Sequence, residues 1–267
     1  MHLSTLLPSE PQRRERLRAY VNQMKQERPE AAYHHLNFGD GIVLTGQYDL
    51  DPVMRHTGIP QSLRGRTVLD VCTATGALAL QAAMRGGQVT AIDVYEHSPV
   101  QDFAEILDLP ITYKKCSLFD AASLDARFDV VICGSVLLHV AAPFTAIGSI
   151  SSVCMDSIHV WTAAPRFYWR NFGNRCTFVG RHAADGDYHH YWEISGTALS
   201  DMLLFTGFAT CKRFRYFTLG TTGLRGDRFS TPHVAVHARR THAGRQLSNP
   251  ATEVALPVTS TDKEHAP

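Results

Sequence analysis

The residues of this chain whose types and spacing could do chemistry first are Asp70, Gly76 and Asp93. An apolar run at 67–71 contains Asp70 and leads into the small-residue turn Cys72-Thr73-Ala74-Thr75-Gly76. An apolar helical stretch follows, and a second apolar run at 88–93 ends on the Asp93 carboxylate. Strand, tight turn, helix and acid-terminated strand make the unit that cradles a nucleoside cofactor at the carboxyl ends of parallel strands. A dinucleotide loop would need glycines where Cys72 and Ala74 stand, because pyrophosphate must touch the turn amides. No pyrophosphate loop is visible in the sequence.

The elements that must position this unit follow from periodicity. Strand-like runs at 67–71, 88–93, 111–116, 128–133 and 155–161 alternate with helical stretches at 77–86, 99–109 and 143–152. That alternation predicts a doubly wound parallel sheet covered on both faces. A late helix begins near Gly196-Thr197 and runs to Phe205, and runs at 210–218 and 233–239 predict a closing hairpin at a sheet edge. Ahead of the sheet, Ser9-Glu10-Pro11-Gln12 reads as a capping box opening a helix over 11–28. Residues 1–60 are expected to form an N-terminal helix and substrate-side cap, 61–240 the catalytic domain, and 241–267 a disordered tail.

Composition narrows the class. With 267 residues, 44% of them hydrophobic and 19% charged, the chain can bury one full core. It has no apolar run long enough to span a bilayer and no secretory leader pattern, which predicts a cytoplasmic protein with no membrane partner. The six cysteines form no C-x-x-C pair and read as reduced, mostly core residues, with no metal site. A net charge of +1 gives no global attraction to nucleic acid.

Taken together, the Asp70–Gly76 turn and the Asp93 strand end resemble the first motifs of class I S-adenosylmethionine-dependent methyltransferases. Three further phrases resemble a subgroup of that family, the relatives of the tRNA wobble-uridine carboxymethyl transferases. They are His35-Leu36-Asn37-Phe38-Gly39-Asp40-Gly41-Ile42-Val43-Leu44-Thr45-Gly46, the run from Phe128 to Val140, and the run from Trp192 to Phe208. The resemblance spans about residues 33–240. It implies a Rossmann-like seven-stranded methyltransferase sheet with an antiparallel last strand, and S-adenosylmethionine as cofactor. It also assigns cofactor contacts: Asp93 to the ribose hydroxyls, Asp120 to the adenine amino group with Phe119 or Leu118 packing on the ring, Asp70 to the turn and the methionine amine, with Thr73 also among the cofactor-binding residues. Gly76 leaves room for backbone near the cofactor, Cys72 departs from the glycine of most relatives, and Gly134 completes the site.

Methyl transfer needs an in-line nucleophile more than elaborate acid and base groups. Where a base is used, His139 at the end of the fourth strand, His34, His190 and Asp185 are the candidates, with His35 and His189 beside them, the segment from Asp185 to His190 reading as a loop. For the acceptor, Tyr33 and an aromatic insert at 162–194 stand out: with Trp161 at its edge it includes Tyr168, Trp169 and Tyr188, well above the chain's 9% aromatic content. Such a wall suits a flat, aromatic or heteroaromatic small molecule, an indole-type ring being one form, as in secondary metabolism. Arginines interleaved with these rings keep a tRNA-modifying reading alive. A non-catalytic binding protein that kept the fold is the third reading, suggested by Cys72 and Ala74. A homo-oligomer is left open.

Overall fold

The computed structural model describes residues 3–27, 32–166, 173–182, 189–222 and 228–241. Tyr168, Trp169, Asp185, Tyr188 and the tail from 242 lie outside the described residues.

The alternating apolar runs become five parallel strands. They are β3 (Thr67–Val71), β4 (Gln88–Asp93), β5 (Ile111–Lys115), β6 (Phe128–Gly134) and β7 (Cys154–Ala163). Between them lie α2 (Ala77–Met84), α3 (Pro99–Leu107) and α4 (Pro143–Ser152). The described residues end in α5 (Gly196–Phe205) and a hairpin of β10 (Thr210–Thr222) and β11 (Arg228–Arg239). The seven-stranded sheet has the order β10-β11-β7-β6-β3-β4-β5, with β11 antiparallel to β7 and to β10. The expected doubly wound sheet with an antiparallel last strand is therefore present. The hairpin folds back so that the last strand is interior and β10 takes the edge.

Two buried apolar clusters cover the two faces of the sheet. One joins α2 and α3 to Val68, Ala91 and Ile132; the other joins α4 and α5 to Leu69, Val131 and Ile158. The N-terminal helix α1 (Pro11–Glu27) buries Leu17, Val21 and Met24 in the first cluster and packs on α3 as a flank. Phe38 packs on Phe103 of α3 with ring centres 5.2 Å apart, tying the segment after α1 to the same helix.

Three expectations need correction. The capping box at Ser9 does not set the helix start: α1 opens on Pro11, with Arg14 N–H donating to the Glu10 carbonyl, so Glu10 holds the cap position. The reciprocal box forms instead at Ser98 and Gln101, opening α3. The segment containing His189 and His190, read as loop, is strand β9 (His189–Ile194), paired antiparallel with β8 (Cys176–His182). Cys176, read with the core thiols, is exposed.

Candidate functional site

The loops at the carboxyl ends of the parallel strands enclose a cavity of about 740 Å³. One end is lined by Cys72, Ala74, Asp93, Val94, Leu118 and Phe119. The other is lined by Tyr33, His34, Tyr48, Ser135, His139 and Trp161.

The first end is organised by Asp93. Its Oδ2 accepts from the Ala74 amide at 2.9 Å and its Oδ1 from the Val94 amide at 2.7 Å. Each oxygen keeps a further lone pair for a ligand hydroxyl. Burial raises this carboxyl above its ordinary value, and the two amides lower it. Cys72 and Ala74 stand at φ 57° and 47°, left-handed conformations that favour glycine. Their Cβ atoms therefore occupy space that glycines would leave open. Burial raises the Cys72 thiol well above its ordinary value, with the nearby Asp93 charge adding, so the sulfur is protonated and unreactive at neutral pH.

Asp70 and Thr73 sit behind this surface. Thr73 Oγ1 donates to Asp70 Oδ2 at 2.7 Å, both residues are fully buried, and neither lines the cavity. Gly76 also lies outside the lining; its missing Cβ makes room for Val100 of α3, whose Cγ2 would be 2.4 Å away. The turn is thus shaped by packing against α3. Phe119 lines the cavity, whereas Asp120 is exposed outside it, on a 3-10 turn (Leu118–Leu124) whose helical geometry breaks at that residue. The adenine role expected of Asp120 has no support in this placement.

The second end is assembled from distant pieces of chain. The phrase around Asp40 folds into a small ribbon, β1 (Leu36–Asn37) against β2 (Val43–Leu44), turned by Gly39-Asp40-Gly41 in left-handed geometry. Gly46 passes so close to His34 that a Cβ would meet its carbonyl carbon at 2.2 Å. The ribbon holds Tyr33 and Tyr48 together, with ring centres 4.6 Å apart, at the cavity wall. Its glycines explain themselves as scaffold.

Trp161 is buried and lines the cavity; its indole lies against Gly134, where a Cβ would fall 2.1 Å from Cζ2. Gly134 therefore serves as the seat of the indole as well as part of the lining. Of the other described insert rings, Phe178, Tyr191 and Trp192 cluster with one another on the β8–β9 ribbon, and Phe178 is exposed. The aromatic wall comes from Tyr33, Tyr48 and Trp161 rather than from this ribbon.

The candidate bases separate. His139, on a 3-10 turn (Leu137–His139), is half-buried in the lining. His34 lines the cavity too, but burial pushes its imidazole down to about 3, so it stays neutral and a weak base. His190 is buried outside the lining, its Nε2 at 3.1 Å from the Trp192 carbonyl. Sequence reasoning missed Ser135 and His233, whose Oγ and Nε2 lie 3.1 Å apart at the cavity. Their separation along the chain left no local signal. Among the described residues no cluster of His, Cys, Asp and Glu could hold a metal ion.

Residues 68–156 match a family of proteins described as a methyltransferase domain. The matched segment runs from β3 into β7 and includes Asp93. A ubiquinone biosynthesis O-methyltransferase of Chromobacterium violaceum is 36% identical over 107 residues, 39% of this chain and 44% of that protein. A protein of the same description from Alkalilimnicola ehrlichii is 32% identical over 101 residues, 37% of this chain and 41% of that protein. The alignments thus span less than half the length of these curated relatives. Among solved structures, the N-terminal domain of EvdMO1 with S-adenosylhomocysteine bound aligns with a TM-score of 0.61 at 18% identity. That alignment covers 84% of this chain and 97% of that one. A structure from work on disulfide-to-thioacetal conversion in echinomycin biosynthesis aligns with a TM-score of 0.54 at 16% identity, over 85% and 93%. These likenesses establish the class I methyltransferase fold. No helix among the described residues is long and apolar enough to cross a membrane.

Proposed function

We propose that this protein is an S-adenosylmethionine-dependent methyltransferase acting on a small aromatic or heteroaromatic metabolite. The observation that carries the reading is the single cavity joining Asp93, with its free lone pairs, to the Tyr33–Tyr48–Trp161 wall. Asp93 would hold the ribose hydroxyls, and Leu118, Phe119 and Val94 would flank the adenine. Bound there, the cofactor supplies an electrophilic methyl group on a sulfonium sulfur. The chain's own part is to place the acceptor in line with that methyl and to keep water out, which the buried Trp161 and the tyrosine pair are built to do.

The names of the curated relatives and of the echinomycin-pathway structure favour a small-molecule acceptor of biosynthesis. Two of the three phrases behind the finer resemblance to wobble-uridine carboxymethyl transferases serve as scaffold here: the β1–β2 ribbon, and Ser195 capping α5 through the Ala198 amide. A tRNA acceptor is accordingly the second reading. Calorimetric titration with S-adenosylhomocysteine should give saturable 1:1 binding, and radiolabelled methyl transfer should appear with phenolic or indolic acceptors and be absent with tRNA. Labelled tRNA would overturn the small-molecule reading; absence of cofactor binding would leave a non-catalytic relative.

A further inference from the structure

Ser135 directly follows β6 at φ 56°, a left-handed conformation that an L residue adopts against its steric preference. Its N–H donates to the Trp161 carbonyl at 2.8 Å, and the residue lines the cavity beside the indole. From the far end of the chain, β11 delivers His233, almost wholly buried, with Nε2 3.1 Å from Ser135 Oγ. The other ring nitrogen, Nδ1, lies 2.9 Å from the Thr231 carbonyl.

A carbonyl oxygen only accepts, so Nδ1 carries the hydrogen and Nε2 of the neutral ring is left as an acceptor. The Ser135 hydroxyl hydrogen is thereby committed to His233, and only the lone pairs of Oγ remain for the cavity. Burial pushes His233 down to about 4, against the Thr231 hydrogen bond and helped by His190 and His139, which keeps the ring neutral at ordinary pH. Phe217 stacks on His233 at 5.6 Å, and His56 stacks on Phe217 at 5.5 Å, holding the ring in place.

We propose that Ser135, oriented by His233, recognises the methyl acceptor as a hydrogen-bond donor, so that the substrate is an aromatic molecule carrying a phenol-type hydroxyl or a ring N–H. This rests on the small-molecule methyltransferase reading and narrows it: an aromatic carbon acceptor lacking such a donor is excluded. Ser135 touches the substrate; His233 is a positioning residue that fixes which way the serine hydroxyl points.

Matched aromatic pairs test this directly: phenol against anisole, and indole against N-methylindole, each titrated by ligand-observed NMR into protein saturated with S-adenosylhomocysteine. The donor member of at least one pair should bind about fivefold tighter than its methylated twin, the size of one neutral hydrogen bond. In Ser135→Ala and His233→Gln the ratio should fall to about one. A merely structural role for His233 would weaken both members equally and leave the ratio unchanged. Ser135→Gly, which relieves the left-handed backbone while removing the hydroxyl, serves as a second variant should the alanine fold poorly. A ratio near one in the wild type, including no binding by either member of both pairs, overturns the proposal, as does a ratio that survives in the serine variants. Wild type that binds S-adenosylhomocysteine but shows no preference fails only this inference. Wild type that binds no S-adenosylhomocysteine fails the methyltransferase reading, and this inference with it.

Discussion

The Ala74 amide donates to Asp93 Oδ2 at 2.9 Å, so the turn after β3 and the carboxylate ending β4 form one hydrogen-bonded unit at the cavity. Asp93→Ala removes the acceptor for that amide and, on the proposed function, for the ribose hydroxyls as well. Affinity for S-adenosylhomocysteine should fall by about 2–4 kcal/mol, the worth of two hydrogen bonds to a charged group. Unchanged affinity by calorimetry would show that the nucleoside sits elsewhere.

Ala74 and Cys72 hold left-handed backbones with side chains. The conformation costs an L residue about 1–2 kcal/mol, and glycine gives back about 0.4–1 kcal/mol through its freer unfolded chain. Ala74→Gly should therefore stabilise by up to about 1 kcal/mol, raising the melting temperature by about 2–4 °C. Cys72→Gly should gain less, because the Cys72 side chain packs against the buried cluster beneath the turn. Scanning calorimetry that finds Ala74→Gly less stable than wild type would contradict the account.

Gly134 and Trp161 are register partners across β6 and β7, and a Cβ at Gly134 would lie 2.1 Å from the indole. Gly134→Ala should destabilise by about 1–3 kcal/mol, as overpacking does, and displace the ring from the cavity wall. Urea unfolding followed by tryptophan emission reads both effects. A variant of wild-type stability with an unshifted spectrum would mean the site has slack that the structure does not show.

Asp70 gives a pH signature. Burial raises its carboxyl to about 7, with the Asp93 charge adding and hydrogen bonds from Thr73 and the Ala79 amide opposing. The folded value lies above the ordinary 3.8, so its stabilising contribution is complete below that ordinary value and is lost as pH rises through about 7. His34, His159 and His233, lowered to about 3, 3 and 4, run the other way: their contribution grows as pH rises toward the ordinary histidine value of 6.5. Comparing Asp70→Asn with wild type isolates the carboxyl. The stability of the variant relative to wild type should climb steadily between about pH 4 and 8, and a flat difference would refute the raised value.

Much of this architecture was legible because local signals agree with the fold. Runs such as 88–93 and 128–133 are apolar, β-branched and flanked by helix-forming stretches, so their strands emerge with bounds shifted by a residue or so. The place of Asp93 at the end of β4 and in the cavity lining was legible for the same reason, since it closes a buried run. The β8–β9 ribbon was not: Gly180 interrupts its first strand and histidines open its second, a pattern without clean alternation. Ser135 and His233 could not be paired in advance, because their contact exists only once β11 has slotted beside β7. Asp120 shows the opposite failure, a motif position whose side chain stands out in solvent.

The interior place of β11 bears on how the chain comes off the ribosome. It is the last strand among the described residues, yet it lies between β7 and β10 and carries His233, while β10 supplies Leu219 to the cavity. Until residue 239 has emerged, the long apolar β7 presents an unpaired edge, the kind of template on which strands pair wrongly. A nascent chain would hold Asp93 in place early and complete the contact between Ser135 and His233 only when β11 arrives. Shielding β7 during that interval is therefore expected to favour the correctly paired sheet.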